Sequence, residues 1–321
     1  MKLLAWLIYV PLQIMWLPLS VIGGAWVAYK QIWRSRDLGL SQTAVEIVNG
    51  RWTGHVFGLR RDSASYRLAA VLPNNSVIGL RLALFPLWVA RTVAGKPILY
   101  PLLPDDAEAG IASMVFSRSA RFDELIEDYA GAATQLVVLG AGLDTRAYGP
   151  LANSDMTFFE IDRVDVQRAK RKAVSRAGLA ANHVHYIEAD LGEADWVLGL
   201  VSSTYDPTKI TIFLWEGVTL YLTEAVVRTT LASLRAHAAP GSVVVLDLYA
   251  QGFLKTIGRG VAAAALKATS ESLDFGLDFS TDPHRVLSDF ATSANVQLVA
   301  AHFIGSANRS GPYMTVAAFR L

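Results

Sequence analysis

Five short apolar runs between residues 135 and 247 alternate with amphipathic stretches, and this alternation constrains the fold more than any other feature of the chain. Strands that are separated by helices pair in parallel, because each helix carries the chain back to the same edge of the sheet. The pattern therefore predicts a doubly wound α/β domain, with ligands at the carboxyl ends of the strands. The predicted strands are Gln135–Gly140, Met156–Ile161, His183–Glu188, Ile210–Trp215 and Ser242–Asp247, and the clearest helices are Gly110–Tyr129, Val164–Arg176 and Glu224–His237.

Two further strand-like runs, Val296–Ile304 and Tyr313–Leu321, close the chain. The segment 305–312 between them is rich in Gly, Ser, Asn and Pro, a composition typical of a hairpin connection. Added to the five parallel strands, this hairpin predicts a mostly parallel, Rossmann-like sheet of seven strands. An ordinary dinucleotide-binding sheet lacks such an ending.

The N-terminal segment Leu3–Tyr29 carries no charged residue and is longer than the roughly 20 apolar residues that cross a bilayer core. Lys30, Arg34 and Arg36 follow it directly, so the positive-inside bias predicts that the rest of the chain lies in the cytoplasm. A single membrane span is the favoured interpretation. A cleaved signal peptide is one alternative, and a re-entrant or in-plane segment broken by its two prolines is another.

A second apolar stretch, Val77–Val93, contains Arg81, Pro86 and Arg91. The uncharged part between the two arginines is too short to span a bilayer, which favours a helix in the membrane interface or a lid packed on the following domain. An ordinary buried helix with exposed arginines is an equal alternative. The sequence thus predicts a membrane anchor over 1–36, a helical extension or lid over 37–109 and an α/β domain over 110–321.

The composition excludes several classes of function. The net charge of +1 gives no reason to expect nucleic acid as a partner, because nucleic acid is bound through clustered positive charge. The chain has no cysteine, which excludes disulfides, thiolate nucleophiles and thiolate metal sites. Its six histidines are scattered, and we predict no metal site.

A glycine turn follows the first predicted strand, at Gly140-Ala141-Gly142. Glycines at a strand-to-helix turn let the backbone approach a ligand closely, although a turn required only for packing has the same sequence. The third glycine of the dinucleotide fingerprint is absent, since Thr145 stands in its place. Asp162 ends the second strand about 20 residues later, where a carboxylate either accepts both hydroxyls of a ribose or caps the following helix.

Polar residues also follow the third and fourth strands. Asp190 and Leu191 lie just beyond the third strand, and Glu216 directly follows the fourth. Helix caps explain any one of these residues, but they do not readily explain signals at the ends of four successive strands, with the glycine turn after the first strand counted among them. The set therefore predicts one ligand site along this edge of the sheet.

Four motifs in this order carry a family resemblance: Leu-Gly-Ala-Gly-Leu-Asp-Thr-Arg (139–146), Phe-Glu-Ile-Asp (159–162), Ala-Asp-Leu (189–191) and Trp-Glu-Gly-Val-Thr-Leu-Tyr-Leu (215–222). Residues 110–321 resemble the leucine carboxyl methyltransferase-like family of class I methyltransferases, whose bacterial branch is mostly described as O-methyltransferases. The resemblance implies S-adenosylmethionine as the cofactor. It does not extend over 1–104.

The resemblance also implies a role for individual residues. Arg118, in Arg118-Ser-Ala-Arg-Phe-Asp, matches the family's Arg-Thr-x-x-Phe-Asp motif, whose arginine pairs with the methionine carboxylate of the cofactor. Ser119 replaces the usual Thr, and Arg121 is a second candidate for that arginine. The remaining implied contacts are Gly140 and Gly142 with the methionyl and ribose parts, Asp162 with the ribose hydroxyls, Asp190 and Leu191 with the adenine, and Glu216 with the amino group.

The acceptor side is less well determined. Tyr221, Asp247 and Tyr249 lie at or just beyond strand ends, so each is a candidate to contact the substrate, with structural hydrogen bonding as the alternative. We identify no general base. Membrane attachment favours an apolar or lipid-like acceptor, or a protein terminus presented at the membrane.

Two rival functions are considered. A nicotinamide-dependent oxidoreductase would need the third glycine. A catalytically silent membrane-bound scaffold would be expected to lose its strand-end carboxylates.

Overall fold

The computed structural model describes residues 2–38, 42–193, 195–258 and 272–321. The chain divides into two compact units. The helical unit consists of Met1–Leu103, Leu143–Ala152 and Arg171–Ala180, and the sheet unit consists of Pro104–Gly142, Asn153–Lys170 and Ala181–Leu321.

Seven strands among the described residues form one sheet in the order β3-β2-β1-β4-β5-β7-β6. Strands β1 to β5 are parallel, whereas β7 is antiparallel to both of its neighbours. This order confirms the mostly parallel sheet and its closing hairpin, and it is the strand order of a class I methyltransferase fold. The strands are β1 Gln135–Leu139, β2 Thr157–Asp162, β3 Val184–Glu188, β4 Thr211–Trp215, β5 Val243–Tyr249, β6 Gln297–Ile304 and β7 Met314–Arg320.

The central strands are apolar because helices cover both faces of the sheet. Every residue of β1, β4 and β5 is buried, which explains why these strands are continuous apolar runs rather than alternating ones. The predicted helices are confirmed with small changes at their ends. The longer helices of the sheet unit are α6 Ile111–Ala130, α7 Val164–Arg176 (which continues into the helical unit), α9 Glu224–His237 and α11 Pro283–Ser293, and the shorter ones are α8 Trp196–Val201 and α10 Gln251–Ile257.

The helical unit begins with α1, which runs unbroken from Lys2 to Tyr29 through Pro11 and Pro18. A π-helical turn, Lys30–Arg34, leads into the remaining helices of this unit. They are α2 Ser35–Leu38, α3 Gln42–Phe57, α4 Ser63–Val71 and α5 Val77–Ala94.

Helices α1 and α5 pack against each other in antiparallel orientation. Gly23 meets Gly79 so closely that a Cβ on Gly23 would lie 2.6 Å from the Gly79 carbonyl oxygen. Further along, the Trp16 indole donates to the Leu82 carbonyl at 3.0 Å, and its ring lies 4.6 Å from that of Phe85. The two glycines allow this approach because neither carries a side chain.

Lys2–Leu38 and Val77–Ala94 are long and apolar enough to cross a membrane, with mean hydropathies of 1.7 and 1.5. A signal sequence or a buried core helix meets the same criterion, so length and composition are only weak evidence for a membrane span.

Candidate functional site

The glycine turn after β1 has the backbone geometry that only glycine adopts readily. Gly140 and Gly142 have φ angles of +64° and +41°. A Cβ on Gly140 would lie 2.6 Å from Cγ2 of Val218, which follows β4. The turn therefore leaves no room for a side chain at Gly140, and the close approach involves a neighbouring segment of the protein as well as any ligand.

Lys170 of α7 binds the backbone of this turn. Its buried ammonium group donates to the Ala141 carbonyl at 3.3 Å and pairs with Glu160 of β2 at 2.8 Å. Both side chains are about 1% exposed, so removal of either partner would leave a buried charge. Sequence reasoning missed this pair. The available signal was Glu160 itself, a charged residue within an otherwise apolar strand.

Asp162 at the end of β2 binds the same turn. One carboxylate oxygen accepts the Gly142 N–H at 2.7 Å, and the other accepts the Arg163 N–H at 2.8 Å. Burial raises the pKa of Asp162, and the two backbone hydrogen bonds oppose that rise. Since a carboxylate has about four acceptor positions, each oxygen can accept a further hydrogen bond from a ligand hydroxyl.

Asp190 and Leu191 follow β3, as predicted. Asp190 is exposed and uses one oxygen to accept the Gly192 N–H at 2.9 Å, while Leu191 is buried. Asp190 and Leu191 place a carboxylate beside an apolar side chain at the end of the strand.

Arg118 of α6 is the centre of a buried cluster, which comprises Arg118, Glu216, Asp247 and Tyr249. Its Nη1 donates to the Tyr249 hydroxyl at 2.7 Å and lies 3.5 Å from the Asp247 carboxylate, and its Nη2 lies 3.3 Å from Glu216. Its Nε and Nη2 make no hydrogen bond to any residue in the described part of the chain. The competing candidate, Arg121, lies outside this cluster and pairs with Asp106 and Glu124.

Asp247 is fully buried and holds the loop after β4. Both of its oxygens lie 2.9 Å from the Gly217 N–H, and Oδ2 accepts the Tyr249 hydroxyl at 3.1 Å. Burial raises the pKa of Asp247 to about 6 despite the attraction of Arg118. Burial also raises the pKa of Tyr249 well above its ordinary value, so this phenol stays protonated at neutral pH.

Tyr221 lies in a short 3₁₀ turn, Thr219–Tyr221, and is half-buried. Of the three residues predicted on the acceptor side it is the most accessible, because Asp247 and Tyr249 are both buried within the cluster. The structure therefore brings Arg118, Glu216, Asp247 and Tyr249 together, and it separately joins Gly142 to Asp162.

A second buried network lies in the helical unit and was not predicted. Arg51 of α3 pairs with Asp144 at 2.8 Å, and the Thr145 hydroxyl donates to Asp62 at 2.8 Å. Asp62 also caps α4 by accepting the Ser65 N–H at 2.8 Å. Asp144 and Thr145 directly follow the glycine turn in sequence, but nothing near Arg51 or Asp62 marks them as partners.

The strand order, the glycine turn after β1 and the carboxylate at the end of β2 together define the class. The sheet unit is a class I methyltransferase α/β domain.

Residues 100–235 match the model of the leucine carboxyl methyltransferase family. This match confirms the resemblance over that stretch, and the cofactor it implies is S-adenosylmethionine.

Several bacterial relatives bear the name "Putative S-adenosyl-L-methionine-dependent methyltransferase". The one from Rhodococcus jostii is 32% identical over 50% of this chain and 55% of its own length. Those from Streptomyces avermitilis and Mycolicibacterium paratuberculosis are 30% and 36% identical, over 54% and 48% of this chain and 64% and 51% of their own lengths. The chain thus spans between half and two thirds of each of these relatives.

A solved structure of an O-methyltransferase family protein from Burkholderia thailandensis is 14% identical, with a TM-score of 0.44 over 65% of this chain and 57% of the other. The fold class rests on the strand order described above.

Proposed function

We propose that the chain is an S-adenosylmethionine-dependent methyltransferase that transfers a methyl group to oxygen, in a carboxyl or hydroxyl group, of an apolar, lipid-like or membrane-presented acceptor. Arg118 carries the proposal. Its Nε and Nη2 form the edge of the guanidinium that binds a carboxylate through two parallel hydrogen bonds, and both atoms are buried without a hydrogen-bond partner among the described residues. A buried arginine whose Nε and Nη2 have hydrogen-bond capacity left, with Glu216 near Nη2 only as an ion pair, fits the carboxylate of a methionyl group.

The other residues fit the remaining parts of the same cofactor. Asp162 retains acceptor positions for the two ribose hydroxyls, and the turn at Gly140–Gly142 keeps the backbone free of side chains beside them. Asp190 retains a carboxylate oxygen for the exocyclic amine of adenine, next to the apolar side chain of Leu191. Glu216, already beside Arg118, supplies negative charge for the amino group.

The bound cofactor supplies an electrophilic methyl group on a positively charged sulfur. The task left to the protein is to hold the acceptor oxygen in line with that methyl group, a constraint that alone contributes several kcal/mol. A carboxylate acceptor is ionised at neutral pH and needs no base, whereas a hydroxyl acceptor benefits from one.

Tyr221 is the candidate that we place at the acceptor. Asp247 and Tyr249 act instead as positioning residues for Arg118, because both are buried and bonded to it or to the loop beside it. Membrane attachment through the uncharged N-terminal helix, with the catalytic part on the cytoplasmic side, would bring a lipid-like acceptor or a protein terminus within reach.

The cofactor assignment is tested by comparing Arg118→Ala with Arg121→Ala. The wild-type protein is expected to bind S-adenosylmethionine and its demethylated product in calorimetric titrations, and not NAD. Arg118→Ala should weaken binding at least tenfold, because hydrogen bonds to a charged group contribute about 1.5–3 kcal/mol each. Arg121→Ala should bind like the wild type, since its partners Asp106 and Glu124 lie outside the cluster. A reversed ranking, in variants that melt as folded proteins, would refute the role of Arg118.

The acceptor class is tested with cofactor carrying a tritiated methyl group and a membrane extract. Label is expected in a lipid or another apolar fraction, or on a membrane protein, in a base-labile form if the product is a carboxyl ester. Label that appears only in water-soluble amines or nucleic acid would refute the proposed acceptor class while leaving the cofactor assignment intact.

A further inference from the structure

The outer face of α1 is apolar and exposed along the whole helix. Leu7, Ile14 and Val21 recur every seven residues on this face and are 64%, 69% and 60% exposed within the described part of the chain. Sequence alone left open whether this helix crosses a bilayer or lies along it. The packing of the helical unit distinguishes the two arrangements.

The opposite side of α1 is covered from end to end. Ala5, Gly23 and Val27 are buried, and Tyr9, Leu12, Trp16 and Ser20 are partly covered between them, at the spacing of one helix face. A helix that projected from the body into a bilayer would be covered only near its attached end. Instead, α1 lies lengthwise along α5, which runs antiparallel to it.

Helix α5 is in turn bound to polar helices near both of its ends. Arg81 donates to the Tyr66 hydroxyl of α4 at 2.8 Å, and Arg91 donates to the Phe57 carbonyl at the end of α3 at 3.1 Å. The two arginines are ten residues apart, so these contacts are separated by about 15 Å along α5. Both arginines and their partners would have to enter the hydrocarbon if α5 crossed the bilayer.

Helices α3 and α4 cannot readily enter the hydrocarbon of a bilayer, because their arginines bind charged and polar groups elsewhere in the helical unit. Arg51 of α3 pairs with Asp144, and Arg67 of α4 donates to the Gly178 carbonyl at 2.6 Å. These partners belong to the segments 143–152 and 171–180 of the helical unit. Charged groups are costly inside the hydrocarbon, so α3 and α4 stay in water. Because α5 is bound to both of these helices and α1 is packed along α5, α1 and α5 lie along the surface of the pair α3 and α4.

We infer that α1 and α5 form an in-plane layer that enters one leaflet of a lipid bilayer and does not cross it. This inference rests on the membrane attachment in the proposed function and specifies its geometry. The exposed side chains of Leu7, Ile14 and Val21 enter the acyl chains, as an interfacial helix buries its apolar face. Trp88 of α5, which neighbours Phe85 and is itself exposed, extends the same apolar surface.

The chemistry at the end of α1 fits anionic headgroups. Lys30, Arg34 and Arg36 follow the apolar helix. Lys30 donates to the Pro73 carbonyl at 2.9 Å, the exposed Arg34 lies 3.6 Å from Asp37, and the Arg36 guanidinium lies 4.8 Å over the ring of Trp33. A basic cluster beside exposed aromatic rings is suited to the interface, where rings rest at headgroup level and arginines contact lipid phosphates. The partner is therefore the surface of a bilayer that contains anionic lipid.

The absence of cysteine permits a depth measurement with single labels on the full chain. Leu7→Cys, Ile14→Cys and Val21→Cys are each labelled with a small environment-sensitive fluorophore. Each protein is added to phosphatidylcholine–phosphatidylglycerol vesicles that contain a nitroxide either near the headgroup or near the end of the acyl chain. Arg61→Cys, in the polar connection between α3 and α4, is the control outside the layer.

We expect equal depths for the three α1 positions. All three should lie within the outer leaflet and deeper than the control. A crossing helix would separate Leu7 from Val21 by about 21 Å along the bilayer normal, with Ile14 deepest, and that profile would overturn the inference. Absence of vesicle binding together with cross-links between copies through these cysteines would also overturn it, because a second copy would then cover the face. Calorimetric binding of S-adenosylmethionine by the same variants tests the cofactor assignment independently of all three outcomes.

Discussion

At the scale of single residues, the structure distinguishes two arginines that lie close together in sequence. Arg118 and Arg121 are three residues apart on one helix, yet Arg118 is buried beside two carboxylates and Arg121 pairs with Asp106 nearer the surface. Asp162 is bonded to the glycine turn through the Gly142 N–H, which places its carboxylate where a ligand that enters the turn would meet it.

Asp162→Ala is expected to weaken binding of S-adenosylmethionine about tenfold or more. The variant removes the carboxylate that we propose accepts the two ribose hydroxyls, and each such hydrogen bond contributes about 1 kcal/mol or more. Asp165→Ala is the matched control, because Asp165 is an exposed carboxylate at the start of α7 whose ion pair with Arg163 spans 3.9 Å. Calorimetric titration measures both variants, and equal affinities in folded proteins would contradict the ribose assignment.

Asp247→Asn is expected to change how stability depends on pH. The pKa of Asp247 is about 6 in the folded protein and about 4 in an unfolded chain, so the folded state binds this proton more tightly. The free energy of unfolding contributed by this group therefore falls as pH rises from about 4 to about 6, by up to about 3 kcal/mol, and is constant above that range.

Urea unfolding of the wild type and of Asp247→Asn across pH 4–8 measures this effect. The stability of the wild type relative to the variant should be greatest near pH 4 and should decline toward pH 7, because asparagine does not titrate. Parallel stability curves for the two proteins would show that burial does not raise the pKa of Asp247.

At the scale of secondary-structure elements, α1 and α5 are joined by a crossing that requires glycine on both helices. A Cβ on Gly23 would lie within 3 Å of Gly79 and of Leu82 and Ala83 on α5, whereas a Cβ on the adjacent Gly24 would have no described atom within 4 Å. The two neighbouring glycines of α1 therefore have opposite expected responses to the same substitution.

Gly23→Ala is expected to lower the thermal midpoint of the purified protein in mild detergent, because the added methyl group must push α5 away at a cost of about 1–3 kcal/mol. Gly24→Ala should leave the midpoint unchanged or raise it, since alanine favours a helix by about 1 kcal/mol over glycine. Thermal unfolding of the two variants side by side measures the difference. A similar response of both would mean that α1 and α5 do not cross at Gly23.

At the scale of the whole molecule, the helical unit contains more than the N-terminal helices, because the segment 143–152 that follows the glycine turn belongs to it. Arg51 and Asp62 hold Asp144 and Thr145 there through buried hydrogen bonds. The sequence predicts a boundary between residues 109 and 110. In the structure, residues 1–103 instead form one unit with two segments, 143–152 and 171–180, that the sequence assigns to the α/β domain.

Removal of residues 1–41 is therefore expected to leave a folded protein that binds S-adenosylmethionine in detergent and is partly released from membranes, with α5 retaining some attachment. Removal of residues 1–71 should abolish binding, because it deletes both Arg51 and Asp62, which hold Asp144 and Thr145 in the segment that follows the glycine turn. Calorimetry and membrane flotation measure the two truncations. Binding that survives the longer deletion would show that α3 and α4 are dispensable for the cofactor site.

The sequence by itself determined the elements that depend on local periodicity and on residue type. Alternation of apolar runs with amphipathic stretches predicts the parallel strands and their helices, and the turn-rich segment 305–312 predicts the closing hairpin. Asp162, Asp190 and Glu216 lie at strand ends, so the shared edge of a parallel sheet predicts that they line one site. The uncharged run Leu3–Tyr29 identified an apolar helix.

Only the tertiary structure decided which distant groups meet. Arg118 and Asp247 are 129 residues apart, and Arg51 and Asp144 are 93 residues apart, so no local pattern links either pair. The antiparallel packing of α1 on α5 likewise depends on a close approach of two glycines that look like any others in sequence. Periodicity specifies which face of an element is buried, whereas the partner of that face depends on how the whole chain folds back on itself.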